Sequence, residues 1–277
     1  MDASLPERRE AILDLARREG RVAVEGLAAR LGVSPQTVRK DLNDLCGLGL
    51  LARTHGGARL PASGTENLAY EARRTLAREG KRAIGARAAS LIPDGASLFL
   101  NIGTTTEEVA RALVGRRGLL VVTNNVHAVS ILLPAPGVEV IVAGGPVRRA
   151  DGGIVGEATV DLVAQFRLDY AVVGASALDE EDGTLLDYDY REVRVARAIL
   201  SNARRAILVA DGTKFGRSAP VRIAPVSALW AMVTDRPPPP RFAEACRDAG
   251  VRVEVAGEGA EGDSPRPESR DDEPETA

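Results

Sequence analysis

Ten residues near the N-terminus, Ser34 to Asn43 (SPQTVRKDLN), restrict the fold more than any other stretch of the chain. The Ser34 hydroxyl can accept a backbone N–H at a helix start, and Pro35 fits the first helical turn, where its missing donor costs nothing. A helix therefore begins here. Val38, Leu42 and Leu45 follow at i, i+4 and i+7 on one face, whereas Gln36, Thr37, Arg39, Lys40 and Asn43 project elsewhere. One side packs and the other is free for contact. Amides, hydroxyls and cations near a helix N-terminus are the groups that hydrogen-bond base edges and phosphates in the DNA major groove. We read this segment as a DNA recognition helix with Ser34, Gln36, Thr37, Arg39, Lys40 and Asn43 as its contacts.

The flanking sequence agrees. Ser4 and Glu7 have the spacing of a capping box, and Ala11, Ile12, Leu15 and Ala16 form an apolar stripe ending at Gly20. Leu27, Ala28 and Leu31 before Gly32 suggest a short second helix, although Val24 is a poor cap. Helix, short helix, tight turn and capped helix make a helix-turn-helix. Leu50 to Arg53, Gly56-Gly57 and Ala58 to Leu60 then read as strand, turn and strand, a wing that adds Arg53 and His55 to the DNA contacts, the alternative for His55 being that it only fills the hairpin turn. The alternative is a packing helix in some other small domain. The wing and the order of elements favour DNA.

Bulk charge contributes little to this reading. The chain carries −3, but Gly257 to Ala277 holds eight acidic and two basic residues, so everything before it is +3. Residues 1 to 60 hold ten Lys or Arg against eight Asp or Glu, a weak electrostatic lure for a polyanion. The argument rests on pattern.

With 277 residues and 44% hydrophobic content, two folded units are expected. No apolar run approaches the roughly 20 residues that span a bilayer, and MDASLPERRE lacks the order of a signal peptide, so a cytoplasmic protein without membrane contact is expected. Cys46 and Cys246 have no CxxC or Cys/His spacing, which supports neither a disulfide nor a metal site. Nothing in the chain calls for a cofactor.

The polar PASGTE segment at Pro61 to Glu66 marks a boundary, followed by a helical stretch from about Leu68 to Leu91. Beyond Pro93-Asp94-Gly95, short β-branched runs at Ser97 to Ile102, Leu119 to Thr123, Val138 to Val142, Tyr170 to Gly174, Ala206 to Ala210, Leu229 to Val233 and Val251 to Val255 alternate with helical segments. That is the signature of an α/β domain with a mostly parallel sheet. The expected layout is a winged helix-turn-helix over 5–60, a linker and connecting helix over 61–92, a larger α/β effector domain over 93–256, and a disordered acidic tail over 257–277.

Ligands of such sheets bind beyond the carboxyl ends of the strands. The first strand ends in NIGTTTEEVA, where Gly103 turns into a helix led by Thr104 and Thr105. Backbone N–H groups and hydroxyls there make an anion cradle. The plainer reading is a helix cap. Convergence argues for more. The second strand ends in TNN with Asn124, the third in AGG with Gly145 before Arg148, and the fifth in ADGTKF with Asp211 and Lys214. Gly, Asn, Arg and Lys at one sheet edge describe a polar pocket for a small phosphorylated ligand. Competing readings stay open: Arg148 can pair with Asp151 or Glu157, Lys214 with Asp211, and Tyr188 and Tyr190 can line the pocket or a subunit contact.

Taken together, RR at residues 8 and 9 through Leu60, with SPQTVRKDL and RTHGGA, resembles the DeoR-type winged helix-turn-helix of bacterial sugar-metabolism repressors. NIGTT, VTNN, AGG, GEATVD and DGTKFG resemble that family's effector domain, a likeness covering about residues 5 to 255. RRADGGIVGEATVDLVAQFRLDY and LLDYDYREVR are most similar to the branch governing glycerol-3-phosphate metabolism. The resemblance implies an α/β effector domain similar to the ribose-5-phosphate isomerase fold. It also implies a repressor of a sugar or polyol catabolic operon that binds operator double-stranded DNA as a homodimer or homotetramer. Release follows binding of a phosphorylated sugar or polyol, foremost glycerol-3-phosphate. Carried over residue by residue, the phosphate loop falls on Gly103, Thr104 and Thr105, and further effector contacts on Asn124, Gly145, Arg148 and Lys214. Asn101 stands where many members have Asp, which removes a carboxylate at that point. The rival reading is a sugar-phosphate isomerase with an accessory N-terminal domain, in which Asp211 and Lys214 serve as acid and base. A third is a protein-binding scaffold.

Overall fold

The computed structural model describes residues 5–47, 50–59 and 70–257. The capping Ser4, the second wing strand's Leu60, the boundary segment and the acidic tail beyond Gly257 lie outside them.

The N-terminal unit runs α1 (Leu5–Glu19), β1 (Arg21–Ala23), α2 (Val24–Leu31), α3 (Pro35–Gly47), β2 (Ala52–Thr54) and β3 (Gly57–Arg59). Its core contains Ile12, Leu13, Leu27, Val38, Leu42, Leu45, Leu50 and Leu51, all buried. Full burial of each large aliphatic side chain contributes about 1.5–3 kcal/mol, so the stripe from Val38 to Leu45 anchors α3 by one face. A second anchor is ionic: Arg8 of α1 donates from Nε to Asp41 Oδ2 of α3 at 2.6 Å, and Arg9 pairs with Asp44. Arg8 and Arg9 thus orient the recognition helix.

Two details depart from the expected wing. The turn is His55-Gly56, not Gly56-Gly57, and Gly57 opens β3, which pairs antiparallel with both β2 and the unforeseen β1. A side chain at Gly57 would put its Cβ 2.0 Å from the Val22 carbonyl oxygen, so the three-stranded sheet closes only with glycine there.

Next come α4 (Tyr70–Thr75) and α5 (Arg78–Ser90), two helices where the periodicity suggests one. The break has a stabilising cause. Ala77 sits in the left-handed region at φ +50, and the buried Lys81 Nζ donates to the carbonyl oxygens of Arg73 and Leu76 (2.7 Å to Leu76), capping the end of α4.

The rest alternates strand and helix: β4 (Ser97–Leu100), α6 (Thr104–Leu113), β5 (Leu119–Thr123), α7 (Val126–Leu132), β6 (Val138–Val142), α8 (Glu157–Ala164), β7 (Leu168–Val173), β8 (Ala177–Leu178), β9 (Thr184–Asp187), α9 (Tyr190–Ser201), β10 (Ala203–Val209), β11 (Val221–Pro225), β12 (Ala231–Thr234), α10 (Pro240–Asp248) and β13 (Arg252–Val255). Seven of these strands form one sheet in the order β13-β12-β10-β7-β4-β5-β6, every pairing parallel, and they are the seven apolar runs seen in the sequence. Leu98 and Leu100 pack under α5, α6 and α7, while Phe99 on the other face packs with Val163, Val193 and Phe242 from α8, α9 and α10. A small antiparallel sheet, β11-β9-β8, was not foreseen.

The strand order locates the crevice. From β4 the chain proceeds outward through β5 and β6, then crosses to β7 on the other side of β4 and continues outward through β10, β12 and β13. The winding reverses between β4 and β7. Connections leave those two strands in opposite directions, which opens a gap beyond their carboxyl ends.

Candidate functional site

A small cleft, open to solvent, occupies that gap. Its floor is the stretch from Ile102 to Thr106 after β4 and Gly174 to Ser176 after β7, and Lys214, Arg73, Asp187 and Glu192 complete the walls. Gly103 caps α6 with φ +143 and ψ 150, a conformation that L side chains rarely adopt, and this turns the chain abruptly so that the first N–H groups of α6 face the gap. The Thr106 hydroxyl donates to the carbonyl oxygens of Asn101 (2.7 Å) and Gly103 (2.8 Å), locking the loop. Thr104 donates to the Arg73 carbonyl at 3.4 Å, and no side-chain hydrogen bond holds the Thr105 hydroxyl among the described residues.

Positive charge surrounds this loop. Arg73 reaches in from α4 and donates from Nη2 to Asp151 Oδ2 at 3.0 Å, and its buried Nε has no hydrogen-bond partner among the described residues. Lys214 stands in a short 3-10 turn capped by Asp211 (Gly212–Lys214). Burial pushes its pKa down to about 7, against the pull of Asp211. Asp211 is itself enclosed. Burial alone would raise its pKa, yet Lys81, 3.8 Å away, and Lys214 hold it at about 2.

Four of the seven residues expected to touch the effector meet here: Gly103, Thr104, Thr105 and Lys214 line the cleft. Asn124, Gly145 and Arg148 do not. Asn124 is buried and donates to the Ile154 carbonyl at 3.1 Å, and Gly145 packs so closely on Thr159 and Val155 that its role is steric. Arg148 is clamped by carboxylates, donating to Asp151 (2.7 and 2.8 Å), Asp189 (2.8 Å) and Glu192 (2.6 Å). Burial alone would lower its pKa, and those hydrogen bonds outweigh it and raise it. Of the two pairings weighed for Arg148, Asp151 is made, and Glu157 instead pairs with Arg194 at 3.3 Å. Tyr188 donates to the Ser218 carbonyl at 3.1 Å and Tyr190 is exposed, so neither tyrosine lines the cleft. Asn101 also turns away, accepting the Ile102 N–H at 2.8 Å.

Sequence reading missed Arg73, Ser176, Asp187 and Glu192. Burial and the neighbouring Asp187 push Glu192 up to about 8, in spite of Arg148. Another missed group, Glu107 in the first turn of α6, accepts the Tyr70 hydroxyl at 2.9 Å, and burial raises its pKa. The Tyr70 ring stacks on His127 at 4.7 Å. Through Tyr70, Arg73 and Lys81, α4 is therefore fastened to the cleft. Leu76, just past its end, packs against the core of the N-terminal unit, and Arg236 lies 3.6 Å from Asp14 of α1.

That unit carries the other surface. The Ser34 hydroxyl accepts the Thr37 N–H at 3.1 Å, the expected cap. Gln36, Arg39, Lys40 and Asn43 are exposed along α3, and Arg53 and His55 are exposed on the wing. Arg53 also donates to the Gly57 carbonyl at 3.3 Å, steadying the wing turn. Among the described residues no group of three or more His, Cys, Asp or Glu is placed to hold a metal, and no helix is long and apolar enough to cross a membrane.

Family models match both units: a DeoR-like helix-turn-helix domain over residues 8–64 and a DeoR C-terminal sensor domain over residues 76–236. The chain belongs to the DeoR family. It is 43% identical over 249 residues to the glycerol-3-phosphate regulon repressor of Escherichia coli (strain K12), covering 90% of this chain and 98% of that protein. With the glycerol-3-phosphate regulon repressor of Haemophilus influenzae it shares 48% over 227 residues, 82% of this chain and 88% of the relative. Among solved structures, ribose 5-phosphate isomerase A from Methanocaldococcus jannaschii matches 50% of this chain and 55% of its own at 15% identity and a TM-score of 0.38. As a DeoR-family member with these repressors as relatives, the chain is a DNA-binding transcriptional repressor rather than an enzyme.

Proposed function

We propose that this repressor binds the operator of a polyol or sugar catabolic operon as a homodimer or homotetramer in the cytoplasm, and releases it when the cleft binds a phosphorylated polyol, glycerol-3-phosphate first among candidates. The carrying observation is the cleft at the winding reversal, where a helix N-terminus, three threonines, Arg73 and Lys214 converge. Such a constellation suits a phosphate. The phosphate contacts are then Gly103, Thr104, Thr105 and Lys214, with Arg73 added. Asn124, Gly145 and Arg148 act by shaping the loops. On α3 and the wing, Ser34, Gln36, Thr37, Arg39, Lys40, Asn43, Arg53 and His55 face the duplex.

Helix α4 supplies the route between the two sites. Arg73 is shared between Asp151 and the cleft, and Leu76 rests on the N-terminal core. A phosphate that draws Arg73 away from Asp151 displaces α4, and with it the platform on which the recognition unit sits. The ligand must favour one arrangement over the other, since equal affinity moves no population, and linkage requires operator DNA to weaken ligand binding by the same factor. A gel shift on the protein's own promoter tests the reading. Glycerol-3-phosphate is expected to release the DNA, and full retention at saturating ligand removes that effector.

A further inference from the structure

The cleft is lined by two sets of groups of opposite character. One set offers donors and cations, and the other, from the loop before β8, the end of β9 and α9, offers acceptors. Asp187 at the end of β9 is almost completely buried, and its Oδ1 accepts the backbone N–H groups of Tyr188 (2.6 Å) and Asp189 (3.2 Å), which fixes the carboxylate. Its Oδ2 accepts the hydroxyl proton of Ser176 at 2.7 Å. That bond uses the only proton Ser176 has, so serine and aspartate together present lone pairs and no donor. Arg148 binds Asp151, Asp189 and Glu192 and, among the described residues, makes no bond to Asp187, so its donors are taken up elsewhere. Glu192 lines the same wall, but with its pKa pushed up to about 8 it holds a proton near neutrality, so the pure acceptors there are Ser176 and Asp187.

We propose that Ser176 and Asp187 are the specificity-determining pair, accepting hydrogen bonds from a hydroxyl at the end of the effector away from its phosphate. The inference rests on the phosphate reading above and names what that reading leaves open, the chemistry of the carbon skeleton. A wall of buried acceptors reads donors. A ligand with only C–H at that point leaves dehydrated oxygens unpaired, and one with a carboxylate there meets like charge. The site therefore takes a phosphate monoester of a polyol and rejects both deoxygenated and carboxylated analogues of the same length.

The test is calorimetric titration of the full chain with four probes: inorganic phosphate, glycerol-3-phosphate, n-propyl phosphate and 3-phosphoglycerate. The wild-type protein is expected to prefer glycerol-3-phosphate over n-propyl phosphate by on the order of tenfold to a hundredfold, the size of one or two hydrogen bonds to a charged acceptor, and to bind 3-phosphoglycerate more weakly still. In Asp187→Asn the first ratio should fall toward one while inorganic phosphate binds as before. Ser176→Ala, which leaves the backbone contacts of Asp187 intact, should lower the same ratio, and it decides the matter if the aspartate variant fails to fold by circular dichroism. Equal weakening of all four probes in either folded variant would mean the pair only shapes the loop, and an unchanged ratio would mean it reads nothing. Either result overturns the inference. If the wild-type protein binds neither inorganic phosphate nor any ester, the phosphate reading itself falls and takes this inference with it. An unaltered phosphate affinity with an unaltered ratio sinks the inference alone.

Discussion

The recognition helix and the sensor cleft both gather cations, in opposite environments. On α3, Arg39 and Lys40 stand in water on a helix held from behind by Val38, Leu42 and the Arg8–Asp41 pair. In the cleft, Lys214 and Arg73 are largely enclosed and balanced by Asp211 and Asp151. Exposed charge is screened by salt and adapts to a long polyanion, whereas enclosed charge depends on shape and protonation. The two regions should therefore fail in different ways.

The sharpest separation comes from Gly103→Val. A β-branched residue cannot hold φ +143, so the loop must reopen, and effector response is expected to fall by about a hundredfold or more, while operator affinity without effector stays near wild type. Release assays over a ligand series measure this, and simultaneous loss of DNA binding would show that the regions are not separable. On the other side, Arg39→Ala should weaken operator binding by about tenfold to a hundredfold and relax preference at one base pair if the guanidinium reads a guanine. If it meets only phosphate, the loss should be the same on all sequences and the salt slope should drop by roughly one. Effector binding in the absence of DNA should not change in either case.

The smallest effect is in pH. Lys214 has a pKa of about 7, below its ordinary value, so its ammonium is lost as pH rises through neutrality. A phosphate monoester gains its second charge near pH 6, by general chemistry. Effector affinity should thus peak between about pH 6 and 7 and decline by at most about tenfold per unit above it, with proton uptake on binding at pH 8. Calorimetry in buffers of different ionisation enthalpy measures that uptake, and Lys214→Met should reduce it to the share of Glu192, whose pKa of about 8 falls in the same window.

Much of this organisation was legible in the chain. A capped amphipathic helix announces itself locally, and so do β-branched runs alternating with helices, which is why α3 and all seven strands of the parallel sheet were readable. The Gly103 loop was legible as a turn into a helix, and only its convergence with the other strand ends argued for more than a cap. What escaped was long-range. Arg73 lies some thirty residues before the loop it serves, as its contact with Thr104 shows, and only folding brings α4 across the cleft. Asp187 and Glu192 sit in LLDYDYREV, where only the tyrosines were weighed as pocket residues, and nothing local marks which of the acids the fold encloses. Arg148 was legible only in part: its pairing with Asp151, three residues on, was one of the readings left open, whereas Asp189 and Glu192, which also hold it, come from a distant segment. β1 and β8, three and two residues long, are too short for alternation to register.

The winding reversal between β4 and β7 also bears on ancestry and design. Because the loop after β4 and the acceptors after β9 belong to separate excursions from an all-parallel sheet, a lineage can exchange the second while preserving the first. A regulator built this way is free to acquire a new metabolite through a few codons in one excursion, and its core and its operator vocabulary pass unaltered to the descendant.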